Sequence, residues 1–379
     1  MKIVYATTFD AQDVHNWSGT PFYMSQALIT EGNLLAFIGN LKRELPFGFK
    51  FKQTLKKWLS GQRESPRFNL RAARHYSQQT AQLLSKLKAD VILAPQMNPV
   101  AFLECKQPIV LWTDAVYASL VGFYPAFNNH SRQTIAQGNQ IAQACLSRSR
   151  LAIFSSDWAA RAAIELYGVE RDKVKVVPFG ANIHCKHRLQ DVQTWVKNRS
   201  KKSIKLLFLG KRWEQKGGPL VLKVAQALHQ AGEAVKLTIV GCLPPQRESL
   251  PSYVHCLGFI SKRTREGLAK ITQLLQESHF LFVPSQGEAY GIVFCEANAY
   301  GLPCLTSYVG GISTIIKDDL NGKTFALQAP VTEYGDYLVK LIRDSKRYEE
   351  MALASFNEYE TRLNWQASVR QVMKLMEEI

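Results

Sequence analysis

The feature that most constrains this chain is a rhythm. Short apolar runs alternate with helical patterns along almost its whole length. Residues 2–6, 35–38, 90–93, 109–112, 151–154 and 175–177 read as strands, because each is short, apolar and bounded by polar or turn-forming residues. Residues 21–30, 78–88, 131–144 and 156–166 lie between them and carry apolar side chains at helical spacing. Such alternation produces a parallel sheet with helices on both faces, whose strands are apolar throughout because neither face meets water.

The rhythm breaks once. Residues 181–202 are polar, rich in Lys, Arg, His and Gln, and show no strand. The pattern then restarts with strands expected at 205–210, 235–240, 279–283 and 303–306. A chain of 379 residues is long for one core. The simplest arrangement is therefore α/β, with two doubly wound domains, 1–183 and 184–360. Residues 361–379 form a closing helix, with Trp365, Val369, Val372, Met373 and Met376 on the face that packs back on the first domain. Ligands of such sheets bind beyond the carboxyl ends of the strands, so two domains facing a cleft would share one binding region.

Composition removes several alternatives. No apolar run approaches the roughly 18 residues of a membrane-spanning helix. The first apolar run turns polar at Thr7, too soon for the core of a secretory signal, so a cytoplasmic chain is expected. The seven cysteines are scattered, with no C-x-x-C pair. His184, Cys185 and His187 lack a second ligand pair, and no metal site is expected. The net charge of +16 attracts polyanions. Half of it lies in an insertion at about 41–76, where ten Lys and Arg face only Glu44 and Glu64. Phe47, Phe49, Phe51, Trp58 and Phe68 interleave with these cations. Cations with aromatics suit an anionic membrane surface, at which the chain would sit peripherally on the inner face. They suit nucleic acid less well, and a solvated, partly flexible insertion is the plain alternative.

Chemistry concentrates where the expected strand 279–283 ends. Gly287-Glu288-Ala289-Tyr290-Gly291 forms a loop that opens a helix over 292–300. Gly291, Ile292 and Val293 would offer backbone N–H groups to a phosphate at that helix start. Glu288 and Glu296 could accept vicinal sugar hydroxyls or merely complement the helix dipole. A second candidate, Lys211-Arg212 with Lys216, follows the strand 205–210 and could neutralise a departing diphosphate, or be a solvated basic turn.

Taken together, Glu288, Tyr290-Gly291, Glu296-Ala297, Gly301-Leu302-Pro303 and Gly310-Gly311 resemble the retaining GT-B glycosyltransferases of family 4, the glycosyl transferases group 1. Ala289 departs from the usual Gly. The stretch Lys211–Gly217 resembles the family's Gly-Arg and Lys-Gly motif, with Lys211 in the Arg place and Arg212 beside it, so either could reach the phosphates. Val177-Pro178-Phe179-Gly180-Ala181-Asn182 resembles the family's hinge strand, and Ser155-Ser156-Asp157-Trp158 the segment upstream of it.

The resemblance implies two Rossmann-like domains and a nucleotide-sugar donor carrying UDP, GDP or ADP. It implies Glu288 on the donor sugar, Glu296 on the ribose, and hexose transfer with retention to a glycan, a lipid-linked or another hydroxyl acceptor. It also implies that Gly19 and Thr20, in the loop after the first strand, approach the diphosphate and the acceptor; by residue type, Thr20 reads as the cap of the next helix and Pro21 as its first turn. Asp114, after the strand 109–112, either stands in for the His with which relatives hydrogen-bond the donor sugar or serves as a cap. No Asp-x-Asp occurs, so catalysis without a metal or cofactor is expected, with protein cations in place of the ion. Other outcomes consistent with the resemblance are a nucleotide-sugar epimerase, or an inactive relative that binds membrane or nucleic acid.

Overall fold

A computed structural model describes residues 1–200, 202–245 and 249–379. The chain divides into two compact units. One comprises Met1–Phe179 with Trp365–Ile379, and the other Gly180–Asn364.

The first unit is built on six parallel strands: β1 (Lys2–Ala6), β2 (Leu34–Ile38), β3 (Val91–Ala94), β4 (Ile109–Thr113), β5 (Leu151–Phe154) and β6 (Val174–Val176). Their order is β2-β1-β3-β4-β5-β6. The central strands β3, β4 and β5 are buried along their whole length, as expected of runs covered on both faces. The helix Trp365–Glu377 belongs to this unit. Its Trp365 ring packs against Trp112 at 5.7 Å and Phe179 at 5.5 Å, and its Arg370 Nε donates to Glu31 at 3.0 Å.

The second unit carries β7 (Ile204–Leu209), β8 (Val235–Val240), β9 (Val254–Gly258), β10 (Phe280–Phe282), β11 (Cys304–Ser307) and β12 (Gly322–Phe325). They are parallel, in the order β12-β11-β10-β7-β8-β9. Strand order therefore reverses between β7 and β10. In open parallel sheets ligands bind outside the carboxyl ends of the strands at such a switch point.

Several expectations change. Strands β9 and β12 were not anticipated, because their alternating or glycine-led sequences, Val254-His255-Cys256-Leu257-Gly258 and Gly322-Lys323-Thr324-Phe325, lack a continuous apolar run. Both are edge strands, where one side need not be apolar. The polar segment 181–202 contains the helix Leu189–Asn198, which buries Val192 and Val196; its Lys201 lies outside the described residues.

The helix expected at 78–88 runs instead over Leu70–Leu84. It is capped by Asn69, whose side-chain oxygen accepts from the Arg71 and Ala72 N–H groups. The basic insertion includes the helix Phe49–Ser60. The final helix starts at Trp365, because residues 361–362 end the preceding helix Ser345–Arg362. The helix after the Glu288 loop stops at Asn298, short of 300. Ser156 caps the helix Asp157–Tyr167 through the Ala159 N–H, so this segment has a structural role.

Candidate functional site

The two loops singled out in the second half leave β7 and β10, the neighbours across the switch point. Glycine makes their approach possible. At Gly217 φ is +76°, and an added Cβ would lie 2.1 Å from the Pro284 carbonyl oxygen. A backbone bond ties the loops as well, from the Gln286 N–H to the Gln215 oxygen at 2.9 Å.

In this junction the Lys216 ammonium pairs with the Glu288 carboxylate, two residues 72 positions apart in sequence. Both side chains are largely shielded. The Ser285 hydroxyl donates to the same Glu288 oxygen at 3.4 Å, and the Gly311 N–H donates to the Glu288 carbonyl at 3.1 Å. The paired glycines thus support the loop from behind. The Lys216 stem lies over Gly210, where a Cβ would sit 3.1 Å from its Cγ.

Gly291 takes φ +98° at the start of the helix Ile292–Asn298. A Cβ there would press into the Phe294 ring at 2.6 Å and the Glu288 stem at 3.1 Å. Tyr290 and Ala289 are buried, so the Ala289 departure from the family pattern faces protein rather than solvent. Glu296 is 5% exposed and accepts from the Lys262 ammonium at 2.6 Å. Lys262 was missed from the sequence because it follows the unanticipated strand β9.

Lys211 and Arg212 are both exposed and turn to different neighbours. The Lys211 ammonium lies 5.5 Å from the Phe259 ring centre, and Arg212 donates to Gln215 Oε1 at 2.9 Å. Glu288, Lys216, Gly291 and the helix start Ile292-Val293 therefore cluster at one switch point. Glu296 stands one turn on, and Lys211 and Arg212 lie on the β7 loop.

Gly19, Thr20 and Asp114 belong to the first unit. Gly19, not Thr20, is the cap of the helix Thr20–Thr30, with φ +88°. Thr20 is already helical, because a left-handed cap suits glycine and Pro21 then fits the first turn. Trp17 at φ +46° and Ser18 at φ +57° precede it, giving three successive left-handed residues after β1. Two of them are not glycine, a costly conformation that concentrates at functional sites. The sequence offered no signal for this strain. Across this sheet's own switch point, Gln96 Oε1 after β3 accepts from the Thr8 N–H at 3.1 Å and from its hydroxyl at 3.0 Å. Asp114 directly follows β4, and its charge acts on Arg67.

Among the described residues, no group of three or more His, Cys, Asp or Glu is arranged to hold a metal. Cys185 and His187 contact each other at 3.3 Å, and His187 also meets the Ala299 carbonyl. No helix of the described residues is long and apolar enough to cross a membrane.

Two parallel sheets of this order define the GT-B fold of glycosyltransferases. Residues 190–357, within the second unit, match the family model for glycosyl transferases group 1. The D-inositol 3-phosphate glycosyltransferase of Nocardia farcinica is 28% identical over 209 residues, which cover 51% of this chain and 45% of that protein. The chain spans about half the length of the curated relatives it matches. Sucrose-phosphate synthase from Thermosynechococcus elongatus superposes with a TM-score of 0.70 at 14% identity, covering 100% of this chain and 98% of that one. Anabaena HepE, solved with UDP-glucose, superposes with a TM-score of 0.62 at 16% identity over the whole of both chains.

Proposed function

We propose that this chain transfers a hexose-type sugar from a nucleoside diphosphate to a hydroxyl acceptor, with retention at the anomeric carbon. The observation that carries the reading is the meeting of Lys216 and Glu288 at the second sheet's switch point. A carboxylate and an ammonium held side by side suit a sugar hydroxyl and a diphosphate oxygen that are themselves neighbours. The UDP-glucose complex of HepE and the inositol-phosphate glycosyltransferase relatives support the class of donor and reaction.

In this reading Glu288 accepts from sugar hydroxyls and Glu296 from the ribose. Lys216, with Lys211 or Arg212 and the N–H groups of Gly291, Ile292 and Val293, stabilises the leaving diphosphate; Tyr290 shapes the loop. The acceptor oxygen bonds to the anomeric carbon as the bond to the phosphate oxygen breaks, and the hydroxyl proton leaves with the departing diphosphate. Gly19 and Thr20 approach the diphosphate and the acceptor, and Asp114 takes the part of a donor-sugar contact. Protein cations take the part a divalent ion plays elsewhere, so no metal is required. The acceptor is a glycan or a lipid-linked hydroxyl, and the chain works in the cytoplasm, peripherally at the inner membrane face.

The test is a panel of UDP-, GDP- and ADP-sugars, followed by release of nucleoside diphosphate with and without EDTA. One donor should stabilise the protein against heat and turn over equally in both buffers. No binding or turnover with any donor overturns the reading. Loss of activity with EDTA overturns its metal-free part. Conversion of a donor to its epimer without transfer makes the protein an epimerase.

A further inference from the structure

The helix Phe49–Ser60 is amphipathic the wrong way round for a helix resting on a protein in water. It is bounded by two left-handed glycines, Gly48 at φ +72° and Gly61 at φ +66°. Its protein-facing side carries Phe49, Lys52, Gln53 and Lys56, spaced i, i+3, i+4 and i+7. Phe49 is buried, Gln53 Nε2 donates to the Glu64 carbonyl at 2.6 Å, and Lys52 Nζ donates to Gln133 Oε1 at 2.8 Å. The Lys56 ammonium pairs with the buried Glu64 carboxylate. Burial raises the pKa of Glu64, but hydrogen bonds from Lys56, Thr134 and Ser131 outweigh it and hold the carboxyl below its ordinary value. This tether is therefore charged and intact at neutral pH.

The opposite side carries Phe51, Leu55, Trp58 and Leu59, spaced i, i+4, i+7 and i+8. They are 74%, 42%, 81% and 67% exposed, and Phe47 just before the helix is fully exposed. Single exposed apolar residues are ordinary, but a continuous apolar stripe with two large aromatics marks a surface that binds something. Lys50 and Lys57 border the stripe on one side and Lys52 on the other. The insertion leaves the carboxyl end of β2, the same end of the parallel sheet as the loop of Gly19 and the Asp114 turn.

We propose that this helix lies in the interface of an anionic phospholipid bilayer. Phe51, Leu55, Trp58 and Leu59, with Phe47, enter the acyl boundary, and Lys50 and Lys57 rest among the phosphates. The net +8 of residues 41–76 complements that surface. A second copy of the chain fits worse, because a twofold contact through the stripe would set its bordering lysines against one another. The surface would hold the carboxyl end of the first sheet toward the membrane, where a lipid-linked hydroxyl is presented. The anchoring itself does not depend on the donor reading.

The test is flotation of the full chain with vesicles of phosphatidylcholine alone or mixed with phosphatidylglycerol, alongside light scattering in solution. The wild type should float with the mixed vesicles and far less with the neutral ones. F51S/W58S, altered only at exposed positions, should bind them at least about tenfold more weakly, and K50E/K57E should lose the preference for anionic lipid. Equal flotation of wild type and F51S/W58S overturns the inference, as does a wild type that fails to float. A dimer that F51S/W58S dissociates, with no flotation of the wild type, assigns the stripe to a second copy instead. Thermal shift of F51S/W58S with the donor keeps this outcome separate from failure of the donor reading, because that variant should bind donor as the wild type does.

Discussion

The two sheets each change strand order once, yet their switch points are made of different material. In the second unit the loops after β7 and β10 meet through an ion pair, Lys216 with Glu288, and a second pair, Lys262 with Glu296, follows within about one helical turn. In the first unit the loop after β1 is a run of three left-handed residues, Trp17, Ser18 and Gly19, joined across its switch point by the neutral side chain of Gln96. One switch point is built from charge and the other from backbone shape. This matches the two tasks proposed for them. A diphosphate sugar is recognised by charge wherever it occurs, whereas an acceptor hydroxyl is uncharged and must be placed by shape.

Glu288→Ala should break that comparison most forcefully. If the charged switch point performs the transfer, turnover should fall by about 10³-fold, roughly 4 kcal/mol of transition-state stabilisation, with a folded protein. Nucleoside diphosphate release measures this, and circular dichroism checks the fold. Near-normal turnover would leave Glu288 with only a structural role.

Gly217→Ala should come next, read as stability. The substitution adds a Cβ about 2 Å from the Pro284 carbonyl and places alanine at a positive φ, so a loss of about 3 kcal/mol is expected. A melting temperature within a degree of the wild type would show that the two loops can separate freely. The ion pair would then not depend on their close contact.

The difference in material also decided what could be read from the sequence. Both sheets and most central strands were legible because buried parallel strands are continuous apolar runs. The charged site was legible because Glu288, Glu296 and Lys216 are chemically distinctive residues beside glycines and strand ends. Strained backbone leaves no such trace, since Trp17 and Ser18 look ordinary until their φ values are known. Lys262 stayed hidden for a related reason, because its position depends on the edge strand β9. The outward stripe of Phe49–Ser60 was half visible. Its cations and aromatics were evident, but which face met the protein depended on the contacts of Gln53 and Lys56 with Glu64.

A pH effect tests the frame on which the charged site stands. His279 begins the turn into β10 and is buried; its Nδ1 accepts from the Lys205 N–H at 2.9 Å and its Nε2 faces the Ser200 carbonyl at 2.8 Å. Burial, then the charge of Arg199, lower its pKa from 6.5 to about 4. The unfolded chain therefore takes up the proton first. Stability from this group is full above about pH 6.5 and is lost as pH falls toward 4, an order of 3 kcal/mol across that window. Denaturant unfolding from pH 7 to 4 should show the decline, and His279→Gln, which keeps a donor and an acceptor, should flatten it. An equal slope in both proteins would assign the decline to other groups.

The smallest expected effect concerns the second ion pair. The Lys262 side chain is 41% exposed and that of Glu296 only 7%, so water screens the lysine while the carboxylate stays enclosed. Two roles are possible for such a lysine, and they differ in sign. As a positioning residue, it holds Glu296 in the orientation that receives ribose hydroxyls. Lys262→Ala should then raise the donor KM by about three- to tenfold with kcat nearly unchanged, because uniform binding is lost, and Lys262→Arg should restore it. As a competitor, it occupies the oxygen that the ribose needs, and the same substitution should lower KM. The enclosed carboxylate favours the first, since removing Lys262 costs Glu296 a charge-assisted hydrogen bond that a ribose hydroxyl alone replaces poorly. A fall in KM would therefore turn the second pair from a support into a latch that donor binding must open.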